Sequence, residues 1–118
     1  MRVIVAGSRD FFKWILLCEK LGKILKNIPQ EEIVIISGGA NGADKLGEKY
    51  ANLMGYRCEV YKADWSLGPK AGPLRNREMS EEADALIAFW DGQSRGTKDM
   101  IEVAKAKGLK IRVIMYKN

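Results

Sequence analysis

The chain contains no histidine. That absence excludes Ser-His-Asp and Cys-His catalysis, and with them any metal site built on imidazole. Cysteine is nearly as scarce. Cys18 lies in an apolar helical stretch and Cys58 at the start of a strand-like run. They read as two buried thiols in a reducing compartment rather than as a disulfide framework. No apolar run approaches membrane-spanning length, and no signal-peptide pattern precedes the first strand-like run, Arg2 to Ala6. A cytoplasmic protein with no membrane partner is therefore expected. Aromatic residues make up only 8% of the chain, few for the row of stacking rings that a single-strand nucleic-acid groove uses. No cofactor and no metal are expected.

What is present fits one ordinary domain, residues 1–118, with room for one real core. Twenty basic residues against 15 acidic ones leave a net charge of +5. This mild excess suits an anionic ligand and also suits nucleic acid. The lysines are scattered, from Lys20 and Lys23 to Lys107 and Lys110, at spacings typical of solvated helix faces.

Short apolar runs alternate with amphipathic stretches. Val3–Ala6 reads as a strand ended by Gly7. A helix is expected from about Phe12 to Asn27, stopped by Pro29. Ile33–Ile36 forms a second strand, and a glycine-rich turn leads into a helix from about Asp44 to Met54 with Gly55 as its cap. Arg57–Tyr61 alternates as an edge strand does. Residues 63–72 read as a loop, followed by a helix from about Pro73 to Ala83. A fourth strand spans Ala85–Trp90, a helix runs from Thr97 to about Lys107, and Ile111–Tyr116 closes the chain as a fifth strand. Strict alternation with right-handed crossovers predicts an α/β, three-layer domain with a parallel five-stranded sheet in the order 3-2-1-4-5. Ligands of such sheets bind beyond the carboxyl ends of the strands, where every glycine-rich stretch falls.

Three stretches carry candidate chemistry. Ser37-Gly38-Gly39-Ala40-Asn41-Gly42-Ala43-Asp44 strips Cβ atoms from a turn that opens a helix. A phosphate lies well against such backbone N–H groups. It is neither a Walker A loop nor the usual dinucleotide fingerprint. Asp44 either caps the helix or contacts a ribose hydroxyl, since a carboxylate would repel a phosphate. Ala71-Gly72-Pro73-Leu74-Arg75-Asn76 offers Arg75 as an anion clamp or as an ordinary helical arginine. Ser94-Arg95-Gly96-Thr97 is a phosphate site at a helix N-terminus or a plain cap by Thr97. Gly7-Ser8-Arg9 adds a close backbone approach and a cation, or is an ordinary strand-to-helix turn. Asp64-Trp65 supplies a general base beside a stacking ring, or a turn aspartate beside a packed tryptophan. Phe11 is a second ring that would cover a base.

Together these motifs resemble the YspA-type, cpYpsA-related branch of the SLOG superfamily, over nearly the whole chain. That Rossmann-like superfamily includes the LOG phosphoribohydrolases, the single-strand-binding protein DprA and sensor domains for nucleotide-derived signals. The resemblance implies a nucleotide-like ligand, such as a nucleoside phosphate, NAD or ADP-ribose, and a homodimer. One departure bears on chemistry. LOG-type hydrolases carry a catalytic Glu in a Gly-Gly-x-Gly-Thr-x-x-Glu motif. Here Met100 stands at that position, and Asp99 would point about 100° away on a helix. The expectation is a nucleotide-binding protein, sensor or processing enzyme. The alternatives are an N-glycosidic hydrolase with Asp64 as its carboxylate, and a DprA-like single-strand binder.

Overall fold

The computed structural model describes residues 1–117; Asn118, the last residue of the expected domain, lies outside the described residues. Five strands form one all-parallel sheet: β1 (Arg2–Gly7), β2 (Val34–Ser37), β3 (Arg57–Val60), β4 (Ala85–Trp90) and β5 (Lys110–Met115). Their spatial order is β3-β2-β1-β4-β5, as the alternation of elements predicts. The connecting helices are α1 (Trp14–Leu25), α2 (Ala43–Met54), α3 (Ala71–Glu81) and α4 (Arg95–Ala106).

The period of two along each strand decides which helix packs where. Val3 and Val5 of β1 face the layer built by Leu17, Leu21 and Leu25 of α1 and Tyr50 and Ala51 of α2. Ile4 and Ala6 face the opposite layer, Met79 of α3 with Met100, Ile101 and Ala104 of α4. The three leucines of α1 recur every fourth residue, so they form one stripe. Burying each contributes about 1.5–3 kcal/mol. The first two helices cover one face and the last two the other, so the crossover direction reverses between β1 and β4. The register there runs from Val3 opposite Ala85 to Gly7 opposite Phe89, and the Ser8 N–H carries the ladder one step further onto the Phe89 carbonyl, 3.0 Å.

Several boundaries differ from expectation, each for a physical reason. α1 begins at Trp14, not Phe12, because Phe11 is drawn into the core and stacks on Phe89 with centroids 4.7 Å apart. Phe11 is fully buried, so it does not cover a ligand. The stretch 63–72 is not all loop: a short 3₁₀ segment, Trp65–Lys70, runs directly into α3, which therefore starts at Ala71. Pro73 sits in the first turn of α3, where its missing N–H is harmless. α2 ends as expected, with Gly55 in the left-handed conformation. The thiols depart from expectation too. Cys18 is only half-buried, and Cys58 is exposed because β3 is an edge strand. A paired guanidinium and carboxylate, Arg2 and Glu59, ties that edge back to β1.

Candidate functional site

The carboxyl ends of the strands open onto a cavity of about 590 Å³ at the β1/β4 switch point. Its walls come from the turns after β1 and β4, from α3 and from Trp65. Ala6, Met79 and Met100 line its inner, apolar part. An adjoining lobe of about 470 Å³ lies beside the glycine-rich turn and shares Arg9, Ala40, Trp65 and Arg75 with the first. Most of the residues expected from sequence meet here. Gly7, Ser8, Arg9, Asp44, Asn76 and Arg75 line the main cavity, as do Trp65, Ser94, Gly96 and Thr97. Gly38, Gly39 and Asn41 line the adjoining lobe. Gly42 and Asp64 line neither.

The turn after β2 does not present an empty cradle; its polar groups are largely taken up from within. The Gly39 N–H donates to Ser37 Oγ, 3.0 Å, and the Ala40 N–H to Asp44 Oδ2, 3.3 Å. Arg75 Nη1 donates to the carbonyls of Gly38 and Tyr61. A Cβ on Gly38 would lie 2.6 Å from Arg75 Nη1 and 2.8 Å from Asp44 Oδ2, so this glycine makes room for two side chains of the protein itself. Gly42, at φ 82°, makes room for the Ser8–Arg9 backbone. Asp44 does not cap α2: Gly42 holds the cap position, and Asp44 lies in the first turn with its carboxylate turned back into the loop. It is 5% exposed. Burial pushes its pKa up to about 6, while the Ala40 N–H and the charge of Arg75 act to lower it.

The turn after β4 is built differently. Asp91 Oδ1 accepts from the N–H groups of Gln93 and Ser94, at 2.9 and 2.8 Å, and these bonds hold its pKa below the usual carboxylate range. Ser94, not Thr97, caps α4, because its side chain accepts from the Thr97 N–H. Thr97 is instead buried with its hydroxyl 3.2 Å from Ser94 Oγ. Nothing lies within 4 Å of the position a Gly96 Cβ would take. Arg9 and Arg95 line this cavity, and their side chains make no hydrogen bond or ion pair among the described residues. Asn76 joins the halves of the site. It accepts from Arg75 Nε, 3.1 Å, and donates to Asp99 Oδ2, 2.9 Å, and to the Gly96 carbonyl.

Asp99 was not expected here. It lines the cavity with its carboxylate bonded to Asn76, while its neighbour Met100, buried between α4 and the sheet, closes the inner apolar end. The 100° turn between the two was legible; that both would border the cavity was not. Arg95, from the stretch Ser94–Thr97, lines it as well, and so does Asp10, which no motif in the sequence marks. Asp64 is exposed on the rim, its carboxylate accepting from the Ser66 N–H and hydroxyl at 3.1 and 2.6 Å. Trp65 is 56% exposed, lies over Gly72, and lines both lobes.

Residues 1–68 match the model of the YAcAr family, described as the YspA, cpYpsA-related SLOG family. The chain belongs to this SLOG family. A relative shares its length: the Gene 61 protein of Mycobacterium phage D29 is 35% identical over a 117-residue alignment that covers 93% of each chain. Among solved structures, DNA processing protein A (DprA) from Streptococcus pneumoniae superposes with a TM-score of 0.74 at 20% identity, covering 95% of this SLOG chain and 49% of DprA. The chain thus spans about half of that protein's length. A predicted subunit of tRNA methyltransferase from Methanocaldococcus jannaschii superposes at 0.50 with 16% identity, covering 98% of this chain and 70% of the other. At such identities the two likenesses concern the fold alone. No helix among the described residues is long and apolar enough to cross a membrane.

Proposed function

We propose that this SLOG protein binds a nucleotide or nucleotide-derived ligand at the carboxyl edge of its sheet, with the phosphate at the start of α4. The observation that carries this reading is the cavity at the switch point, which joins an open, capped helix N-terminus to two arginines, Arg9 and Arg95, that have no ion-pair partner among the described residues. The helix end and the guanidinium groups favour an anion, and the cavity's size is in the range of small-ligand sites. Ser8, Ser94 and Thr97 offer hydroxyls beside it. Asp44 and Asp99 lie deeper, where ribose hydroxyls would donate to them, and the exposed face of Trp65 supports a base.

Within this reading Asp99 and Asp44, which line the cavity, replace Asp64 as the candidate carboxylates, and Arg75 holds the glycine-rich turn instead of gripping the ligand directly. N-glycosidic cleavage, if the protein performs it, uses one of those two carboxylates. Titration calorimetry with nucleoside monophosphates, NAD and ADP-ribose tests the binding reading. At least one should bind, and Arg9→Ala should weaken it by about tenfold or more. Absence of binding across the panel refutes it. Product analysis of the same mixtures separates a sensor from a hydrolase.

A second reading, single-stranded nucleic acid, is favoured by the net charge of +5 and by the fold shared with DprA. Filter binding of oligonucleotides at rising salt discriminates: a steep fall in affinity with ionic strength supports it.

A further inference from the structure

The two lobes of the site differ in charge. Asp10, Asp44, Asp91 and Asp99 line the main cavity along with its arginines. The adjoining lobe is lined by Arg9, Lys45, Lys62 and Arg75, and by no carboxylate. We infer that this basic lobe is a second anion subsite, which takes a further phosphate of a nucleotide whose first phosphate lies against α4. The inference rests on the nucleotide reading above and adds to it the class of ligand: one with two separate phosphate groups.

The four cations come from four parts of the fold: the turn after β1, the first turn of α2, the residue stretch after β3, and α3. Solvated surface lysines are ordinarily interspersed with acids. Here Lys62 and Arg9 have no ion-pair partner among the described residues, and Lys45 has only Glu48 at 3.8 Å. Arg75 Nη1 already donates to the carbonyls of Gly38 and Tyr61, so the unengaged cationic donors of the lobe belong to Arg9, Lys45 and Lys62. Like charges converging on one concavity repel each other, and a bound anion relieves that repulsion. Lys45 also stands at the positive end of α2. Trp65 and Arg9 border both lobes, so a ligand resting on the indole adjoins both the α4 side and the lysine side.

The test compares adenosine 5′-monophosphate with adenosine 3′,5′-bisphosphate on the full chain and on Lys45→Gln/Lys62→Gln. Both lysines are exposed, so the double variant is expected to keep its fold, checked by its melting curve. The second phosphate should tighten binding to the wild type by about tenfold or more, and the double variant should lose that gain while holding the monophosphate within about twofold. Inorganic triphosphate provides a probe free of any nucleoside. It should move the amide NMR signals of Asn41, Lys45 and Lys62 in the wild type and not those remaining in the variant. Equal affinity for the two nucleotides overturns the inference, as does an equal loss of both in the variant. Affinity that keeps rising with oligonucleotide length beyond the dinucleotide also overturns it, assigning the lobe to a nucleic-acid strand. Triphosphate acting at the lysines while neither nucleotide perturbs Ser8 or Ser94–Thr97 supports the anion subsite and refutes the nucleotide reading alone.

Discussion

Two turns of this protein look alike in sequence and differ in structure. Both follow buried strands, both are rich in glycine and hydroxyl residues, and both open a helix. After β2, the turn is filled by its own protein: Asp44 and Ser37 accept its N–H groups, and Arg75 occupies the carbonyl side. After β4, Ser94 and Asp91 fix the turn, and Gly96 faces open space. The difference teaches that glycine in such a turn marks close approach without saying of what. At Gly38 the approaching group is a side chain of the protein; at Gly96 nothing in the protein takes the space.

Substitutions at the glycines probe that contrast most strongly. Gly42→Ala places a Cβ into the Ser8–Arg9 backbone at a positive φ and should destabilise the protein by about 3 kcal/mol or more. Urea unfolding measures it, and a loss under about 1 kcal/mol would show that the turn relaxes freely.

The buried carboxylate gives an effect of similar size that depends on pH. The folded-state pKa of Asp44 is raised from 3.8 to about 6, so folded protein binds a proton that unfolded protein has released. Stability from this group is full below about pH 4 and is lost as pH rises through about 6, by up to about 3 kcal/mol. Asp44→Asn should flatten this part of the stability profile. A slope unchanged in the variant would assign the pH dependence elsewhere.

Caps and connectors come next. Asn76→Ala frees Asp99, Arg75 Nε and the Gly96 carbonyl together and should cost about 1–3 kcal/mol. Ser94→Ala removes the α4 cap for about 1 kcal/mol. The smallest effect has the opposite sign. Gly96→Ala meets no neighbour and lies in a helix, so it should stabilise by about 0.5–1 kcal/mol while crowding the ligand side. Thermal melts with and without ligand separate the two consequences.

The sheet was legible because its central strands β1, β2 and β4 are largely continuous apolar runs followed by turn residues, and the order follows from right-handed crossovers. The edge character of β3 was legible in the alternation of Arg57–Tyr61. The general preference of free thiols for burial does not carry over to Cys58, because its strand lies at the sheet edge. The place of the cavity was also legible, since Gly7, Gly38 and Ser94 all follow strands. What the residue pattern does not carry is who partners whom across the site. Arg75 meets Gly38 across 37 residues, and Asn76 meets Asp99 across 23. Such pairings depend on how α3 lies over the sheet. The lysines of the basic lobe were masked for a related reason: Lys45 and Lys62 look like any solvated lysine until β3 and α2 bring them to one concavity.

The central claim is that the turn after β4, and not the glycine-rich turn after β2, receives the ligand's first phosphate. Amide NMR mapping with a nucleoside 5′-monophosphate tests it directly. The account predicts the largest shifts at Arg9, Arg95 and Gly96, with the amides of Gly39 and Ala40, which are bonded to Ser37 and Asp44, little changed. Large shifts at Gly39 and Ala40 with none at Ser94–Thr97 would contradict it.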